Sequence, residues 1–101
     1  MTPFTEKIVT IIQNIPEGQV MTYGQIARCA GSPRAARQVV RVLHSMSKKH
    51  RLPWHRVINS QGKIGMEDNE EQLFLLETEG IEIGPRNTVD LEKYMYHPED
   101  L

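Results

Sequence analysis

The most constraining feature of the sequence is a glycine-containing break between two short helical patterns. Thr22 is a plausible N-cap for a helix predicted over residues 23–30, which Gly31 and Ser32 stop. A longer helix is predicted over residues 33–47, with Ser32 as its N-cap. Two short helices joined by a glycine turn are typical of a helix-turn-helix motif, so the sequence predicts a mainly α domain built around one.

The longer of these helices has two distinct faces. Helical periodicity places on one side the apolar residues Ala36, Val39, Val40, Leu43 and Met46. It places on another side the polar residues Arg34, Arg37, Gln38 and Arg41. We expect the apolar side to pack on the other helices and the arginine side to remain free for a binding partner.

The flanking segments predict three more helical stretches and very little sheet. Apolar residues spaced for a helix cover residues 3–15, and Thr2 before Pro3 fits an N-cap. Residues 69–79 predict another helix, with Leu73, Leu76 and Phe74 inward and Gly80 as its stop.

Two weaker patterns complete the chain. A small hairpin or wing is expected where residues 57–59 and 63–64 flank Ser60-Gln61-Gly62. A short strand and a final turn of helix near residues 90–96 follow. The sequence thus predicts one domain over residues 1–101, with a winged helix-turn-helix core.

Charge divides the chain into two unequal parts. Residues 1–60 hold nine Lys or Arg and two acids, a net charge of +7, and residues 61–101 hold three against eleven, a net charge of −8. A basic half is the pattern expected of a surface that meets phosphates, with the acidic half turned away from nucleic acid. Two ordinary solvated faces would give the same counts.

The cysteine count and hydropathy bear on compartment. A single cysteine excludes an internal disulfide framework and suits the reducing cytosol. The first residues lack the basic and apolar regions of a signal peptide, and no apolar stretch is long enough to span a membrane. We therefore expect a cytoplasmic protein that meets no membrane.

Three segments carry a resemblance to a known family. Residues 15–20 (IPEGQV) with 22–27 (TYGQIA), residues 31–39 (GSPRAARQV) and residues 53–58 (PWHRVI) resemble the O6-alkylguanine-DNA alkyltransferases. The three correspond to the entry of the helix-turn-helix, the recognition helix and the active-site motif, which reads Pro-Cys-His-Arg-Val in the transferases. Order and spacing agree from Phe4 to about Gly80.

Trp54 stands where the reactive cysteine of the transferases should be. Their thiolate accepts the alkyl group from guanine O6, and an indole has no comparable nucleophile at neutral pH. The chain therefore resembles more closely the alkyltransferase-like proteins, which bind alkylated DNA and pass the lesion to nucleotide excision repair. The sole cysteine, Cys29, lies outside the motif and is expected to be a buried or half-buried core residue.

The resemblance implies a role for each matching residue. In the family the recognition helix enters the minor groove, an arginine fills the gap left by the flipped base, and a tyrosine crowds the 3′ phosphate; Arg37 and Tyr23 match these two. Trp54 would form a pocket wall, and the small Ala35 and Ala36 would allow close approach. Phosphate contacts are expected from Thr5, Arg34, Arg41 and Ser60. Residues expected to shape the pocket are Pro53, His55, Arg56, Asn59 and Glu79.

The implied partners are duplex DNA containing O6-alkylguanine and the damage-recognition proteins of nucleotide excision repair. A monomer without cofactor or metal is expected. Two departures stand out: the asparagine that braces the active-site turn in the transferases is missing, and the loop at residues 65–69 is acidic rather than glycine-rich. That loop is one lip of the pocket in the family, and the change predicts room for larger alkyl groups.

Two other functions stay open at this point. The chain could be a repair enzyme, either a glycosylase that uses Glu79 with His55 or a residual alkyltransferase. It could also be a sequence-specific helix-turn-helix regulator of the major groove, although the Pro-Trp-His-Arg motif would then be unexplained. Arg37 and its neighbours could likewise be solvated helix charges.

Overall fold

The computed structural model describes residues 1–64 and 69–98, and helices dominate it. The elements in chain order are helix α1 (Pro3–Gln13), strand β1 (Met21–Thr22), helix α2 (Tyr23–Cys29), helix α3 (Ala36–Met46), a 3-10 turn (Trp54–Arg56), strand β2 (Val57–Ile58), helix α4 (Glu70–Thr78) and helix α5 (Leu91–Tyr94). The predicted mainly α fold with very little sheet is confirmed. Within the described ranges, no helix combines the length and apolar character needed to cross a bilayer.

The two strands join the ends of segments that are far apart in sequence. β1 and β2 run parallel, with Met21 opposite Val57 and Thr22 opposite Ile58. This pairing places the start of α2 beside the end of the 3-10 turn. The helix-turn-helix and the Pro-Trp-His-Arg segment are therefore neighbours in space.

Capping residues fix the starts of the first two helices as predicted. The hydroxyl of Thr2 accepts a hydrogen bond from the Thr5 amide at 3.2 Å, and Pro3 follows it. Thr22 and Gln25 form a capping box at α2, in which each side chain bonds the other's backbone N–H. α1 ends two residues before the predicted end, with Asn14 as its C-cap.

The turn of the helix-turn-helix is longer than predicted. Gly31 adopts a left-handed φ of +92°, and the next amide, that of Ser32, donates to the carbonyl of Ala27 at 2.9 Å. The prediction that α3 starts at Pro33 with Ser32 as N-cap is wrong. Ala35 donates to the Ser32 carbonyl in a turn and has a non-helical ψ of 28°, so α3 begins at Ala36 without a side-chain cap.

The core consists of two clusters. The first fills the space among α1, α2 and α3, and its largest fully buried members are Ile8, Ile12, Ile15, Met21 and Ile26. The second lies under α4 and the C-terminal segment, around Ile58, Ile64 and Leu76. Burial of apolar area is the main stabilising term, and both clusters support the strand pair between them.

Two predictions about the second half of the chain need correction. The expected hairpin within residues 57–64 does not form, because β2 pairs with β1 and Lys63 forms its bridge with Thr88 instead. Phe74 does not point inward: it is 67% exposed, since α4 buries a narrow stripe that includes Gln72 and Leu76. The predicted final helical turn is present as α5.

Among the glycines that the structure describes, Gly62 is the one where an added methyl group is expected to cost the most stability. It has φ +75°, and a Cβ there would lie 2.4 Å from the carbonyl oxygen of Val89, whose amide donates to Gly62. We expect Gly62→Ala to lower the free energy of unfolding by about 2 kcal/mol or more, from backbone strain and a lost hydrogen bond. Thermal unfolding would show a midpoint lower by roughly 8 °C or more.

Gly24→Ala is the matched control, because a Cβ at Gly24 meets no atom within 4 Å and the residue lies inside α2. Alanine is favoured over glycine in a helix, so this variant should unfold at or above the wild-type temperature. Equal midpoints for the two variants would contradict the tight approach at Gly62.

Candidate nucleic-acid interface and base pocket

Trp54 and Tyr23, which are 31 residues apart in sequence, line the same cavity. Trp54 opens the 3-10 turn and Tyr23 opens α2, and the β1–β2 pairing holds these two starts together. The cavity, called the base pocket below, has a volume of about 380 Å³, and its other lining residues are Leu43, His44, Ser47, Val57 and Gln72. A volume in this range is typical of small-molecule and base-sized sites.

Behind the 3-10 turn, the carboxylate of Glu79 accepts hydrogen bonds from four N–H donors. Glu79 is the C-cap of α4, with a side chain only 8% exposed. It accepts from Arg56 Nε and Nη2, the latter at 2.7 Å, from His55 Nε2 at 2.6 Å, and from the Gly18 amide at 2.9 Å. Arg56 also donates through Nη1 to the Ile15 carbonyl at 2.8 Å. The network ties the 3-10 turn to the end of α4 and to the loop after α1.

The network keeps Glu79 ionised. Partial burial by itself raises the pKa of Glu79, but hydrogen bonds from Arg56, Gly18 and His55 together outweigh it and lower the pKa from 4.5 to about 2. The carboxylate is therefore a poor proton acceptor. Across residues 1–64 and 69–98, no three His, Cys, Asp or Glu side chains converge closely enough to hold a metal ion.

Gln72 braces the 3-10 turn from the side of α4. Its buried amide Nε2 donates to the carbonyls of His55 at 3.1 Å and Val57 at 3.3 Å. This contact supports the segment in a chain that lacks the transferases' bracing asparagine. Gln72 was not among the predicted site residues; its only signal in the sequence is that a polar residue shares a helical face with Leu76, four positions later.

Other pocket residues were also missed. His44 and Ser47 follow the arginine face of α3 toward its C-terminal end, and they line the base pocket beside Leu43. This end of α3 was predicted only as part of the helix over residues 33–47, since no motif marks it. Only the tertiary approach of the 3-10 turn shows that these residues border a cavity.

Tyr23 is half-buried at the first position of α2 and packs against the first core cluster. Burial raises the pKa of its phenol above 10.0. The hydroxyl group therefore stays protonated at neutral pH and can donate a hydrogen bond to an anionic acceptor. Its position on the base pocket directs any such contact to the mouth of that cavity.

The arginine face of α3 is open to solvent and leads to the base pocket. Arg37 and Arg41 on this face are exposed, and so is Arg34, which lies in the turn before α3 and not on the helix as predicted. Arg37 lies seven residues before His44, which places the two on one face of the helix about 10 Å apart along its axis. Ala35 and Ala36, at the start of α3, are half-buried and add no bulk in front of this face.

Two predicted contact residues, Thr5 and Ser60, lie away from the base pocket. The Thr5 hydroxyl accepts from Thr2 at 2.9 Å at the start of α1. Ser60 is exposed in the turn after β2, where Asn59 Oδ1 accepts from the amides of Gln61 and Lys63, each at 3.0 Å. Neither Thr5 nor Ser60 lines the cavity. Of the predicted pocket lip at residues 65–69, residues 65–68 lie outside the described residues.

Cys29 is exposed, so the prediction of a buried or half-buried residue is wrong. As the last residue of α2 it turns toward α1, where it lines a separate cavity with Pro3, Glu6, Lys7, Thr10 and Ile11. The base pocket and this cavity share no residue. The thiol of this chain is thus remote from Trp54.

The comparisons with known proteins agree with this geometry. The family model described as 6-O-methylguanine DNA methyltransferase, DNA binding domain, matches residues 3–81. A DNA base-flipping protein of Vibrio parahaemolyticus is 44% identical over 100 residues, which cover 97% of this chain and all of the relative. Alkyltransferase-like protein 1 of Schizosaccharomyces pombe is 39% identical and aligns over 97% of this chain and 98% of its own.

Solved structures show the same relationship. The S. pombe protein in complex with damaged DNA containing O6-carboxymethylguanine superposes with a TM-score of 0.86 at 39% identity, over 97% of this chain and 98% of the other. The O6-methylguanine methyltransferase of Mycobacterium tuberculosis gives 0.63 at 29% identity, over 92% of this chain and 55% of the enzyme. The chain belongs to the 6-O-methylguanine DNA methyltransferase DNA-binding-domain family and, within it, to the alkyltransferase-like proteins.

Proposed function

We propose that this protein recognises O6-alkylguanine in duplex DNA by flipping the base into the base pocket, and that it leaves the alkyl group in place. The observation that carries the proposal is Trp54 on the wall of that pocket, at the position of the transferases' reactive cysteine. Relatives with names or structures that refer to base flipping and to damaged DNA support the binding step.

The side chains around the base pocket are suited to hold a base that has rotated out of the DNA duplex. A base must leave the stack before a cavity can examine it, and this costs less for a damaged pair. O6 alkylation weakens pairing with cytosine, so the lesion lowers its own cost. We assign Arg37 to the vacated space in the minor groove and Tyr23 to the backbone of the flipped nucleotide. Trp54 offers an aromatic face to the guanine, and such stacking contributes roughly 1–3 kcal/mol per base.

Phosphate contacts supply the remaining affinity in this proposal. Arg34 and Arg41 flank Arg37 and reach the backbone, and Thr5 and Ser60 contribute neutral contacts at its edges. The uncapped start of α3 leaves backbone N–H groups available to an anion. The positive charge of residues 1–60 favours association with DNA at long range.

Three side chains, Trp54, Cys29 and Glu79, bear on whether the protein could act chemically on the lesion. An indole offers no usable nucleophile at neutral pH, and Cys29 lines a different cavity. Glycosylase chemistry would need a base to activate water, and the lowered pKa of Glu79 makes its carboxylate too weak for that task near pH 7. The protein is therefore proposed to be a sensor rather than an enzyme.

A protein that binds a lesion without repairing it requires other proteins to carry out the repair. We propose that nucleotide excision repair proteins are those partners and that the acidic residues 61–101 offer a contact surface directed away from DNA. The protein would act as a cytoplasmic monomer. A sequence-specific regulator is the weaker alternative, because such proteins usually dimerise on palindromic sites and have no need of a base pocket.

Titration of two matched duplexes tests the proposal. One carries a single O6-methylguanine and the other guanine, and binding is followed by the fluorescence of Trp54, the only tryptophan. We expect tighter binding and a larger quench with the lesion, because the base stacks on the indole. Nucleoside analysis of the recovered DNA should return all of the O6-methylguanine.

Each alternative predicts a different result in that experiment. Loss of the methyl group or of the whole base would identify an enzyme. Equal affinity for the two duplexes would leave a general DNA-binding protein and favour the regulator. A heat-denatured sample with the same DNA controls for chemical loss of the methyl group during recovery.

A further inference from the structure

A second cavity, called the basic cleft below, adjoins the base pocket. It has a volume of about 830 Å³. Trp54, His44 and Ser47 line both cavities and so form the partition between them. The substituent on a flipped guanine would meet this partition first, and a long substituent has the basic cleft as its next available space.

The basic cleft carries unbalanced positive charge. Among residues 1–64 and 69–98, its lining includes Lys48, Arg51 and Arg56 and no acidic residue. Arg56 is balanced by Glu79, whereas Lys48 and Arg51 form no ion pair with any residue in the described ranges. Like charges held near one another raise the free energy of the empty cleft, and an anion between them would lower it.

Backbone strain at Arg51 supports a role for its side chain. The residue has a left-handed φ of +51°, in a turn closed by the Leu52 amide, which donates to the Ser47 carbonyl at 2.9 Å. Glycine is the residue favoured at such a helix end. Here the position holds an arginine that lines the basic cleft, and strained residues of this kind cluster at binding sites.

We propose that the basic cleft binds the anionic end of a long O6 substituent while the guanine occupies the base pocket. The ligand class is an alkyl chain that ends in a carboxylate. Arg51 can bind such a group with two parallel N–H donors, and Lys48 adds a point charge. This inference rests on the function proposed above and adds selectivity among lesions to it.

Three duplexes that differ at one base test the inference. They carry guanine, O6-(4-carboxybutyl)guanine or its neutral amide, O6-(4-carbamoylbutyl)guanine, and affinity is measured by fluorescence anisotropy of an end-labelled strand. The wild-type protein should prefer the carboxylate over the amide by about tenfold, the typical gain from a charged hydrogen bond. Arg51→Gly should reduce this ratio to about twofold, the residual effect of the Lys48 charge, and leave the affinity for the amide largely unchanged.

Two controls separate selectivity from general effects. Lys49→Gln removes a neighbouring exposed charge that lines neither cavity, so the ratio should stay at the wild-type value. Arg51→Gly removes the left-handed strain, so its unfolding midpoint should stay at or above that of the wild type. A loss of ratio in this variant would then not reflect a damaged fold.

The other outcomes overturn the inference in distinguishable ways. If Arg51→Gly weakens binding to all three duplexes by the same factor, Arg51 binds a backbone phosphate. The basic cleft then makes no contact that distinguishes one O6 substituent from another. If the wild-type protein prefers both adducts to guanine but not the carboxylate to the amide, the cleft is no anion site and the proposed function stands. If it prefers neither adduct, the proposed function fails too.

Discussion

Replacing Glu79 by glutamine is expected to lower the free energy of unfolding by about 3 kcal/mol at neutral pH. The carboxylate accepts from Arg56, His55 and the Gly18 amide, and it is almost fully buried. Glutamine removes the charge and presents an amide NH₂ to donors that need an acceptor. The Arg56 guanidinium would then remain partly buried without a counter-charge, which is the costly half of a broken ion pair.

The effect should depend on pH in a defined direction. The pKa of Glu79 is lowered from 4.5 to about 2 in the folded protein, so its contribution is complete above about pH 5 and is lost as the pH falls toward 2. The difference between the wild type and Glu79→Gln should therefore shrink over that window. Urea unfolding at a series of pH values measures it directly.

Glu77→Gln provides the comparison, because Glu77 is exposed on the same helix and has no role in the network. Its replacement should change the free energy of unfolding by no more than about 0.5 kcal/mol. A loss of similar size in both variants, or a Glu79 effect that is constant from pH 7 to pH 2, would contradict the stabilising role of the network.

The local parts of the fold were predictable because their causes are local in sequence. Thr2 and Thr22 cap helices with side chains three residues from their partners, and Gly31 supplies a left-handed turn that most residues avoid. The start of α3 was missed because Pro33 and Ser32 also form a good helix start on local grounds. The backbone at Ala35 turns instead, and nothing in the nearby residues signals this.

Long-range contacts were not predictable from the pattern. β2 has two residues, and its partner could have been the nearby Lys63 or the distant Met21; the pairing with Met21 adds to the packing between the two core clusters. Phe74 was expected on the inner side of its helix, yet the buried stripe that includes Gln72 and Leu76 leaves it outside.

In the base pocket too, the residues of the sequence motif were predictable and the residues brought in by long-range packing were not. The Pro-Trp-His-Arg motif pointed to Trp54 and to the segment that Glu79 supports. The other wall, with His44 and Ser47, comes from the approach of α3, and the brace at Gln72 comes from α4. Residues recruited by packing have no fixed spacing from the motif, so a single sequence does not mark them.

Arg37→Ala is expected to weaken binding to O6-methylguanine DNA by about thirtyfold and binding to undamaged DNA by only about threefold. Arg37 is exposed on the face of α3 that leads to the base pocket, and we propose that it fills the space left by the flipped base. That space exists only in the lesion complex. On undamaged DNA the same side chain provides one cation among several.

Arg41→Ala separates the two kinds of contact, since Arg41 is also exposed and lies four residues further along the same helix. As a proposed phosphate contact, it should lower both affinities by one factor and reduce the slope of log affinity against log salt by about 0.9. Arg37→Ala should leave the slope for lesion DNA close to that of the wild type, because a contact within the base stack releases no phosphate counterion. If Arg37→Ala instead lowered both affinities equally and reduced the slope as Arg41→Ala does, Arg37 would be a phosphate contact. The flipped base would then need another side chain to fill its place.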